Sequence, residues 1–307
     1  MKDDKLFLTY NQQMRKLRND KHIDCAGSIH KKILIRAGYF NIVNGYKTPF
    51  ISGQDANGNH IYISGTSISQ LQAVKQFDDQ LRSFLLKYIT QIEEETRTLA
   101  GYKFDECNEN GKIPLQEKMS VISKAYNELS RSQLDYVKFY MDNHKQIPTW
   151  IMIKVVNFST FIDIIQYSKT DVSHSLCHLY GLEDEQGRAN VKLLIGSLHW
   201  MRKIRNACAH NERVYCLSRK NTPNKNSGRI LERYFSSLCP GYSRKLDQRI
   251  IDLIVYFKYY LPANEYKTFM SELKNMLSNL ESKIHPHAFE YIRAQIGILN
   301  LSDLDSL

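Results

Sequence analysis

The segment RNACAH, residues 205–210, carries the residue types that can cut a phosphodiester bond. Arg205 supplies a permanent cation and Asn206 an amide, and His210 supplies an imidazole, a group that can accept or donate a proton. With about 100° between successive residues of a helix, Asn206, His210 and Arg213 fall in one narrow sector. Arg202 lies close beside this sector. Arg205 lies at its flank and is long enough to reach the same anion as His210.

The same stretch has an apolar side. Five residues lie opposite the polar sector: Trp200, Met201, Ile204, Ala207 and Cys208. The segment 188–213 therefore predicts an amphipathic helix with a buried apolar face. A surface helix with cations near its C-terminal end, where the helix dipole favours them, has the same spacing. The Arg-x4-His spacing alone does not separate these two interpretations.

Positive charge is concentrated around this segment. The chain has 42 Lys and Arg residues against 32 Asp and Glu, a net charge of +10. Between Arg188 and Arg249 there are fourteen basic and three acidic residues, so this stretch is +11 and the rest of the chain is −1. Such a focus of charge is typical of a surface that binds a polyanion. No long apolar face with a lysine-rich border accompanies it, which favours nucleic acid over a membrane surface.

Aromatic residues among these cations favour RNA over duplex DNA. Tyr215, Tyr234 and Tyr242 are interleaved with the basic residues and can stack on unpaired bases, although each fits helix packing equally well. The predicted RNA-binding residues are Arg202, Lys203, Arg213, Tyr215, Arg219 and Lys220. RNA is therefore the predicted partner, and neither DNA nor a membrane is expected.

The rest of the chain predicts a mostly α protein. Glycine (14) and proline (7) are sparse in 307 residues, and long stretches carry helical periodicity. The predicted helices span 9–20, 24–38, 66–100, 115–145, 149–168, 188–213, 243–260, 263–282 and 285–299. Near the N-terminus, Tyr46–Ile51 and His60–Ser64 flank Asn57-Gly58, a common hairpin turn. A small β-hairpin is therefore predicted at 46–64.

Nothing in the sequence predicts export or a membrane span. The N-terminus has no apolar signal core, and the most apolar stretch, 151–165, is interrupted by polar residues and too short to span a bilayer. The six cysteines form no C-x-x-C pair, which favours free thiols in a reducing compartment. We therefore expect a cytoplasmic protein.

Neither a metal nor a cofactor is predicted. Six residues offer metal ligands in principle: His174, Cys177, His178, Cys208, His210 and Cys216. A zinc centre, however, usually has paired ligands at short regular spacing, which this set lacks. The sequence has no Walker-type glycine loop, Rossmann fingerprint or nucleophile elbow, and this excludes the common NTPase, dehydrogenase and hydrolase classes.

Four blocks extend the pattern beyond RNACAH. They are LTYNQQMRKLRNDKHI with LIRAGYFNIVNGYKTPF, GTSISQLQAVKQFDDQLRSFLLKYITQIEEETRT, IPTWIMIKVVNFSTF and RNACAHNERVY. In this order they resemble the AbiD/AbiF-type abortive-infection (Abi) family of the HEPN superfamily, over residues from about 8 to 217. The chain departs from the family at Asn211, where a second histidine is common, and at Lys75, where a tyrosine is common.

The resemblance implies a HEPN-type helical bundle. It has an N-terminal helical segment with the small β-hairpin (1–65), a helical core (66–218), and a basic loop with a C-terminal helical tail (219–307), and these are expected to form one compact unit. In this superfamily two Arg-x4-6-His motifs typically face each other across a dimer. The chain has no second clean motif, so the resemblance implies a homodimer through the motif face, or a dimer around RNA. It also implies metal-independent RNA cleavage with Arg205, Asn206 and His210 as the catalytic residues.

Three functions remain open from the sequence. The first is an endoribonuclease toxin of a phage-defence or toxin-antitoxin system, restrained by a protein or by a small noncoding RNA. The second is a noncatalytic HEPN module that holds a small RNA. The third is a helical scaffold whose basic face meets an acidic protein. The appearance of new RNA ends would distinguish the endoribonuclease from the noncatalytic module. Salt-dependent binding of RNA would distinguish both of these from the scaffold.

Overall fold

Helices form most of the described chain, as the sequence predicts. The computed structural model describes residues 7–108, 119–144, 147–168, 170–184, 186–218 and 249–307. The described residues fall into two compact units. One lies within 1–83, 213–217 and 267–306, and the other lies within 84–212 and 218–266 together with Leu307. The division into 1–65, 66–218 and 219–307 stays a prediction.

The first two helices lie close to their predicted positions. Helix α1 (Tyr10–Lys21) begins with a capping box, in which Thr9 Oγ1 accepts from the Gln12 N–H at 3.4 Å and Gln12 Oε1 accepts from the Thr9 N–H at 2.8 Å. Helix α2 (Gly27–Ala37) follows and packs on α1. A π-helical turn (Phe40–Asn44) and a 3-10 turn (Thr48–Phe50) then lead to the sheet.

The predicted β-hairpin is confirmed, with a later start. Strand β1 (Ile51–Gln54) pairs antiparallel with β2 (His60–Tyr62). Residues 46–50 are not in the strand, because Thr48–Phe50 form a 3-10 turn that contains Pro49 and buries Phe50. In the connecting loop, Asp55 Oδ1 accepts from the N–H groups of residues 57 and 59, each at 2.8 Å, and Gly58 has a φ of 78°.

The central helices are more interrupted than predicted. Helix α3 (Ile68–Asn108) continues beyond its predicted end, and its residues up to 83 belong to the first unit. The helix predicted at 115–145 is two helices, α4 (Met119–Ser130) and α5 (Asp135–Asn143). The helix predicted at 149–168 is also two, α6 (Thr149–Val155) and α7 (Phe158–Gln166), because Asn157 Oδ1 caps α7 by accepting from the Thr160 N–H at 3.0 Å.

The remaining helices complete the two units. Helix α8 (Thr170–Leu179) lies outside every predicted helix, whereas α9 (Val191–Ala209) lies within the predicted 188–213. The C-terminal elements are α10 (Ile250–Tyr260), α11 (Ala263–Glu281), α12 (Pro286–Ile296) and a 3-10 turn (Leu301–Asp305). No helix in the described ranges is long and apolar enough to cross a membrane.

Helix α9 is central to the second unit. It packs against α7, α8 and α10, and α7 packs in turn on α4. Phe158 and Phe161 of α7 and Trp200 of α9 are fully buried or nearly so. Trp200 Nε1 donates to the Arg249 carbonyl at 3.2 Å, which satisfies the one polar atom of the buried indole. This packing holds the helix that carries the RNACAH segment.

Candidate functional site

The apolar and polar sides of α9 lie as the sequence predicts. The five residues predicted on its buried side are all buried: Trp200, Met201, Ile204, Ala207 and Cys208. Asn206 and His210 are exposed, and Arg202 and Arg205 are partly exposed. The core face of α9 therefore leaves the motif residues on the outside of the second unit.

The predicted end of this helix is wrong, because the helix does not reach Arg213. Helix α9 ends at Ala209, where the Asn211 N–H donates to the Cys208 carbonyl at 3.2 Å and the Glu212 N–H donates to the Ala207 carbonyl at 2.9 Å. This ending resembles a Schellman motif, which needs a left-handed residue after the C-cap. Asn211 supplies it with a φ of 54°, and asparagine tolerates this conformation better than most residues. Asn211 therefore has a structural role at the end of α9.

The early end of α9 removes Arg213 from the polar sector. Arg213 lies in the first unit, where its Nη1 donates to the Gly45 carbonyl at 2.7 Å. Tyr215 is 1% exposed and its ring stacks on Tyr46 at 6.4 Å between centroids. The Tyr215 ring is enclosed by protein, and this contradicts the prediction that it stacks on RNA bases.

His210 is the C-cap residue of α9. Its N–H donates to the Asn206 carbonyl at 3.0 Å, so the backbone of His210 is fixed by the helix end. Its imidazole is exposed and forms no hydrogen bond or ion pair within the part of the chain that the structure describes. The ring is therefore open to an incoming group.

Arg205 is directed toward α3. Its Nε lies 3.7 Å from Glu93 Oε2, and its Nη1 donates to Asn206 Oδ1 at 3.4 Å. The side chain keeps 39% of its surface exposed. The structure thus brings Arg205 together with Asn206, and it adds Glu93, which the sequence does not predict as a neighbour. Joint action of Arg205 and His210 on one phosphate stays a prediction.

Glu93 bridges two arginines in the second unit. Besides contacting Arg205, its Oε1 accepts from Arg97 Nη2 at 2.7 Å and from Arg97 Nε at 3.1 Å. Arg97 also donates to the Ile153 carbonyl and lies 4.6 Å above the Phe161 ring. Burial lowers the pKa of the Arg97 guanidinium, Glu93 raises it, and Arg205 lowers it. Glu93 therefore offsets the repulsion between the two arginines.

A cavity of about 520 Å³ opens beside this cluster. Helices α3, α6 and α9 supply its lining residues, which are Thr90, Glu93, Glu94, Arg97, Thr98, Trp150, Lys154 and Arg205. These residues come from three of the blocks that resemble the Abi family. Motif residue Arg205 thus shares one cavity with Trp150 of the block IPTWIMIKVVNFSTF, although about fifty residues separate Trp150 from Arg205 in the chain.

The other predicted RNA-binding residues have mixed positions. Lys203 is exposed, with its Nζ donating to the Ser218 carbonyl at 2.9 Å and lying 5.4 Å from the Trp200 ring centroid. Arg202 is partly buried, and its Nε has no hydrogen-bond partner among the described residues. Arg219 and Lys220 lie outside the described residues, as do Tyr234 and Tyr242. Most of the basic stretch 188–249 therefore stays a prediction.

A buried carboxylate in the first unit is missed by the sequence reasoning. Asp78 is fully buried, and its Oδ2 accepts from the Tyr46 hydroxyl at 2.9 Å and from Arg82 Nη1 at 2.8 Å. Its Oδ1 accepts from the N–H groups of Val214 and Tyr215 at 3.0 and 3.1 Å. The signal in the sequence is an acidic residue within the apolar positions of α3. The Asp78 carboxylate thus fixes residues 214 and 215 to α3.

The metal-ligand candidates do not assemble. His178 Nδ1 lies 2.6 Å from Glu183 Oε1, and burial raises the pKa of the Cys177 thiol to about 12. Among the described residues, no group of three or more His, Cys, Asp and Glu side chains is placed to hold a metal ion. The five described cysteines are free thiols.

We expect Glu93→Gln to destabilise the second unit. The substitution keeps the shape of the side chain but leaves the mostly buried Arg97 without its charged partner. Loss of hydrogen bonds to a charged group costs about 1.5–3 kcal/mol, and a urea titration of the full chain measures this change. Glu94→Gln is the matched control, because Glu94 is exposed and should change the midpoint little. Equal urea midpoints for Glu93→Gln and Glu94→Gln would contradict the bridging role of Glu93.

Comparison with models of known protein families identifies the family to which the chain belongs. Residues 32–216 match the model of the family described as Abi-like protein. This match covers more than half of the chain, and the chain therefore belongs to the Abi-like protein family. Membership suggests a role in abortive infection, a bacterial defence against phage. Comparison with curated proteins and with solved structures found no significant match.

Proposed function

We propose that this protein is a HEPN-type, metal-independent endoribonuclease of a phage-defence or toxin-antitoxin system. The observation that carries the proposal is the placement of Arg205, Asn206 and His210 on the outside of α9, with the His210 imidazole open to a ligand. The chain's family supports a defence role, and toxic RNA cleavage is one way to abort an infection. We place its action in the cytoplasm, where the RNA would be met.

The proposed reaction uses the RNA's own 2′-hydroxyl as nucleophile. A neutral His210 imidazole takes the 2′-hydroxyl proton while the 2′ oxygen bonds to the adjacent phosphorus. The bond from phosphorus to the 5′ oxygen breaks, and that oxygen takes a proton from an imidazolium. The products are a 2′,3′-cyclic phosphate and a 5′-hydroxyl. DNA lacks the nucleophile, so the same site would not cut it.

Arg205 and Asn206 would act on the phosphate. A guanidinium binds two phosphate oxygens at once and stabilises the charge that builds in the transition state. The 3.7 Å contact between Arg205 Nε and Glu93 Oε2 is long for an ion pair, and 39% of the arginine side chain is exposed. A phosphate can therefore replace part of this contact without unfolding the site. Asn206 would orient the phosphate or Arg205, whose Nη1 already donates to the Asn206 Oδ1.

One imidazole cannot serve as base and acid in the same step. A second copy of the chain would supply the other histidine, and we therefore propose a homodimer through the exposed motif side of α9. Five cations are proposed to bind the RNA backbone outside the reacting phosphate: Arg202, Lys203, Arg213, Arg219 and Lys220. A protein or a small noncoding RNA would restrain the enzyme until infection.

Salt dependence and product formation together test this proposal against the two alternatives. We expect RNA affinity to fall steeply as salt rises from about 50 to 200 mM, because bound phosphates release counterions. We also expect total RNA and tRNA to acquire new ends during incubation with the purified chain in EDTA. Salt-sensitive binding without new ends would instead favour a noncatalytic HEPN module that holds a small RNA. Absence of RNA binding would favour a helical scaffold.

A further inference from the structure

We propose that the cavity between α3, α6 and α9 binds one unpaired nucleobase of the RNA, stacked on Trp150, next to the phosphate bound by Arg205. This inference rests on the proposed function and adds a substrate requirement to it: the nucleotide beside the cleaved phosphate must be single-stranded. The cavity volume of about 520 Å³ lies in the range of small-molecule sites. Trp150 and Arg205 both line it.

Trp150 is placed as a stacking surface. Its side chain is 47% exposed at the start of α6, which is unusual for so large an apolar group. The indole is held in orientation by Tyr140, whose ring lies edge-on with centroids 5.7 Å apart. Tyr140 itself stacks on His144 at 5.0 Å. The aromatic cluster thus fixes the indole while nearly half of it faces solvent.

Two cations line the same cavity as the Trp150 indole. Lys154 lies four residues after Trp150, on the same side of α6, and it is exposed and lines the cavity. Arg205 lines the same cavity from α9. An indole and two cations in one cavity suit a nucleotide, which joins an aromatic base to phosphates. The cavity thus combines a stacking surface with cations that can bind phosphate.

The acidic residues in the cavity do not oppose this ligand. Glu93 is already engaged by Arg97 and Arg205, so its charge is compensated within the protein. Glu94 is exposed, and its carboxylate can accept hydrogen bonds from the amino group of a base. With Arg97 and Lys154 counted, the three cations exceed the two carboxylates of the lining. The cavity therefore still favours an anionic ligand.

Binding to a non-cleavable RNA tests this inference apart from catalysis. A short 2′-O-methyl oligoadenosine lacks the free 2′-hydroxyl, so the full chain can bind it without cutting it. The chain has two tryptophans, and Trp200 is fully buried, so quenching of tryptophan emission on binding reports mainly Trp150. We expect the parent to show this quenching. We expect Trp150→Ala to bind the same oligonucleotide, followed in both proteins by the anisotropy of a label on the oligonucleotide, about 10- to 100-fold more weakly.

Two further variants separate stacking from a general loss of structure. Trp150→Phe keeps an aromatic face and should recover most of the affinity. Tyr126→Ala removes another half-exposed aromatic of the second unit, 50% exposed and outside the cavity lining, and it should bind as the parent does. Equal affinity of Trp150→Ala and the parent, or no binding of the oligonucleotide by the parent, would overturn the inference. So would an equal loss in Tyr126→Ala.

The two proposals fail in different ways. Trp150-dependent binding without cleavage of natural RNA would keep the base site and reject the nuclease. Cleavage of natural RNA with the same KM in the parent and in Trp150→Ala would keep the nuclease and reject the base site. A duplex of the same sequence should show no dependence on Trp150, because its bases are already stacked on one another.

Discussion

His210→Ala is expected to lower the rate of RNA cleavage about 10²- to 10⁴-fold, the usual effect of losing a positioned acid or base. The midpoint of thermal unfolding should be the same in this variant as in the parent protein. The imidazole is exposed and makes no hydrogen bond or ion pair within the described residues, and the backbone bonds that cap α9 do not depend on the side chain. Single-turnover cleavage of tRNA and a thermal melt measure the two quantities separately.

The matched control for this variant is His174→Ala. His174 is also a histidine of the second unit, on the outer side of α8, and it lies outside the RNACAH segment. We expect His174→Ala to cleave RNA at the same rate as the parent protein. A rate for His210→Ala within a few-fold of that control would contradict the catalytic role of His210. A lowered midpoint would mean that His210 acts through the fold instead.

The second large effect is expected from Asp78→Ala, which should lower the free energy of unfolding by about 3–5 kcal/mol. The change leaves the nearly buried Arg82 without its partner at 2.8 Å, and it leaves two buried N–H groups, at residues 214 and 215, without an acceptor. Removing one partner of a buried charged network costs more than the network itself contributes. Equilibrium urea unfolding followed by circular dichroism measures the loss.

The neighbouring residue provides the comparison. Asp79 also contacts Arg82, and it pairs with Lys75 at 2.6 Å, but 39% of its side chain is exposed. Water can replace these contacts, so Asp79→Ala should cost about 1 kcal/mol or less. Similar losses of unfolding free energy in Asp78→Ala and Asp79→Ala would show that the buried hydrogen bonds of Asp78 contribute no more to stability than the exposed contacts of Asp79. A loss confined to Asp78→Ala would support them.

Sequence periodicity predicts the elements that bury one continuous face. The apolar side of α9 is predicted residue by residue, because Trp200, Ile204 and Cys208 repeat at helical spacing and the core accepts one face only. The hairpin is predicted from Asn57-Gly58, since these residues favour the turn conformation. Both patterns are local, and local patterns are visible in a sequence.

Helix ends and breaks are predicted less well. A helical wheel extends α9 to Arg213, but Asn211 adopts a left-handed conformation that ends the helix at Ala209. The break at Asn157 is missed because asparagine is tolerated inside helices and acts as a cap only when its own backbone is extended. Helix ends and breaks depend on the backbone conformation of single residues, which hydrophobic periodicity does not reveal.

The candidate site is predicted only in part, because most of it is made by tertiary packing. Arg205, Asn206 and His210 are close in sequence, and their shared exposure follows from the amphipathic pattern. The Glu93 bridge and the Trp150 wall join helices that are far apart in the chain. The sequence places Tyr215 among cations as a surface aromatic, yet it is buried. Its partners in the first unit have no signature near it in the sequence.

The chemistry of the RNA ends tests the central claim most directly. The purified chain and its His210→Ala variant are incubated with tRNA in EDTA, and the new 3′ and 5′ ends are mapped chemically. The proposed mechanism predicts 2′,3′-cyclic phosphates and 5′-hydroxyls from the parent and none from the variant. Ends of any other kind from the parent, or the same cyclic phosphates at the same rate from His210→Ala, would contradict it.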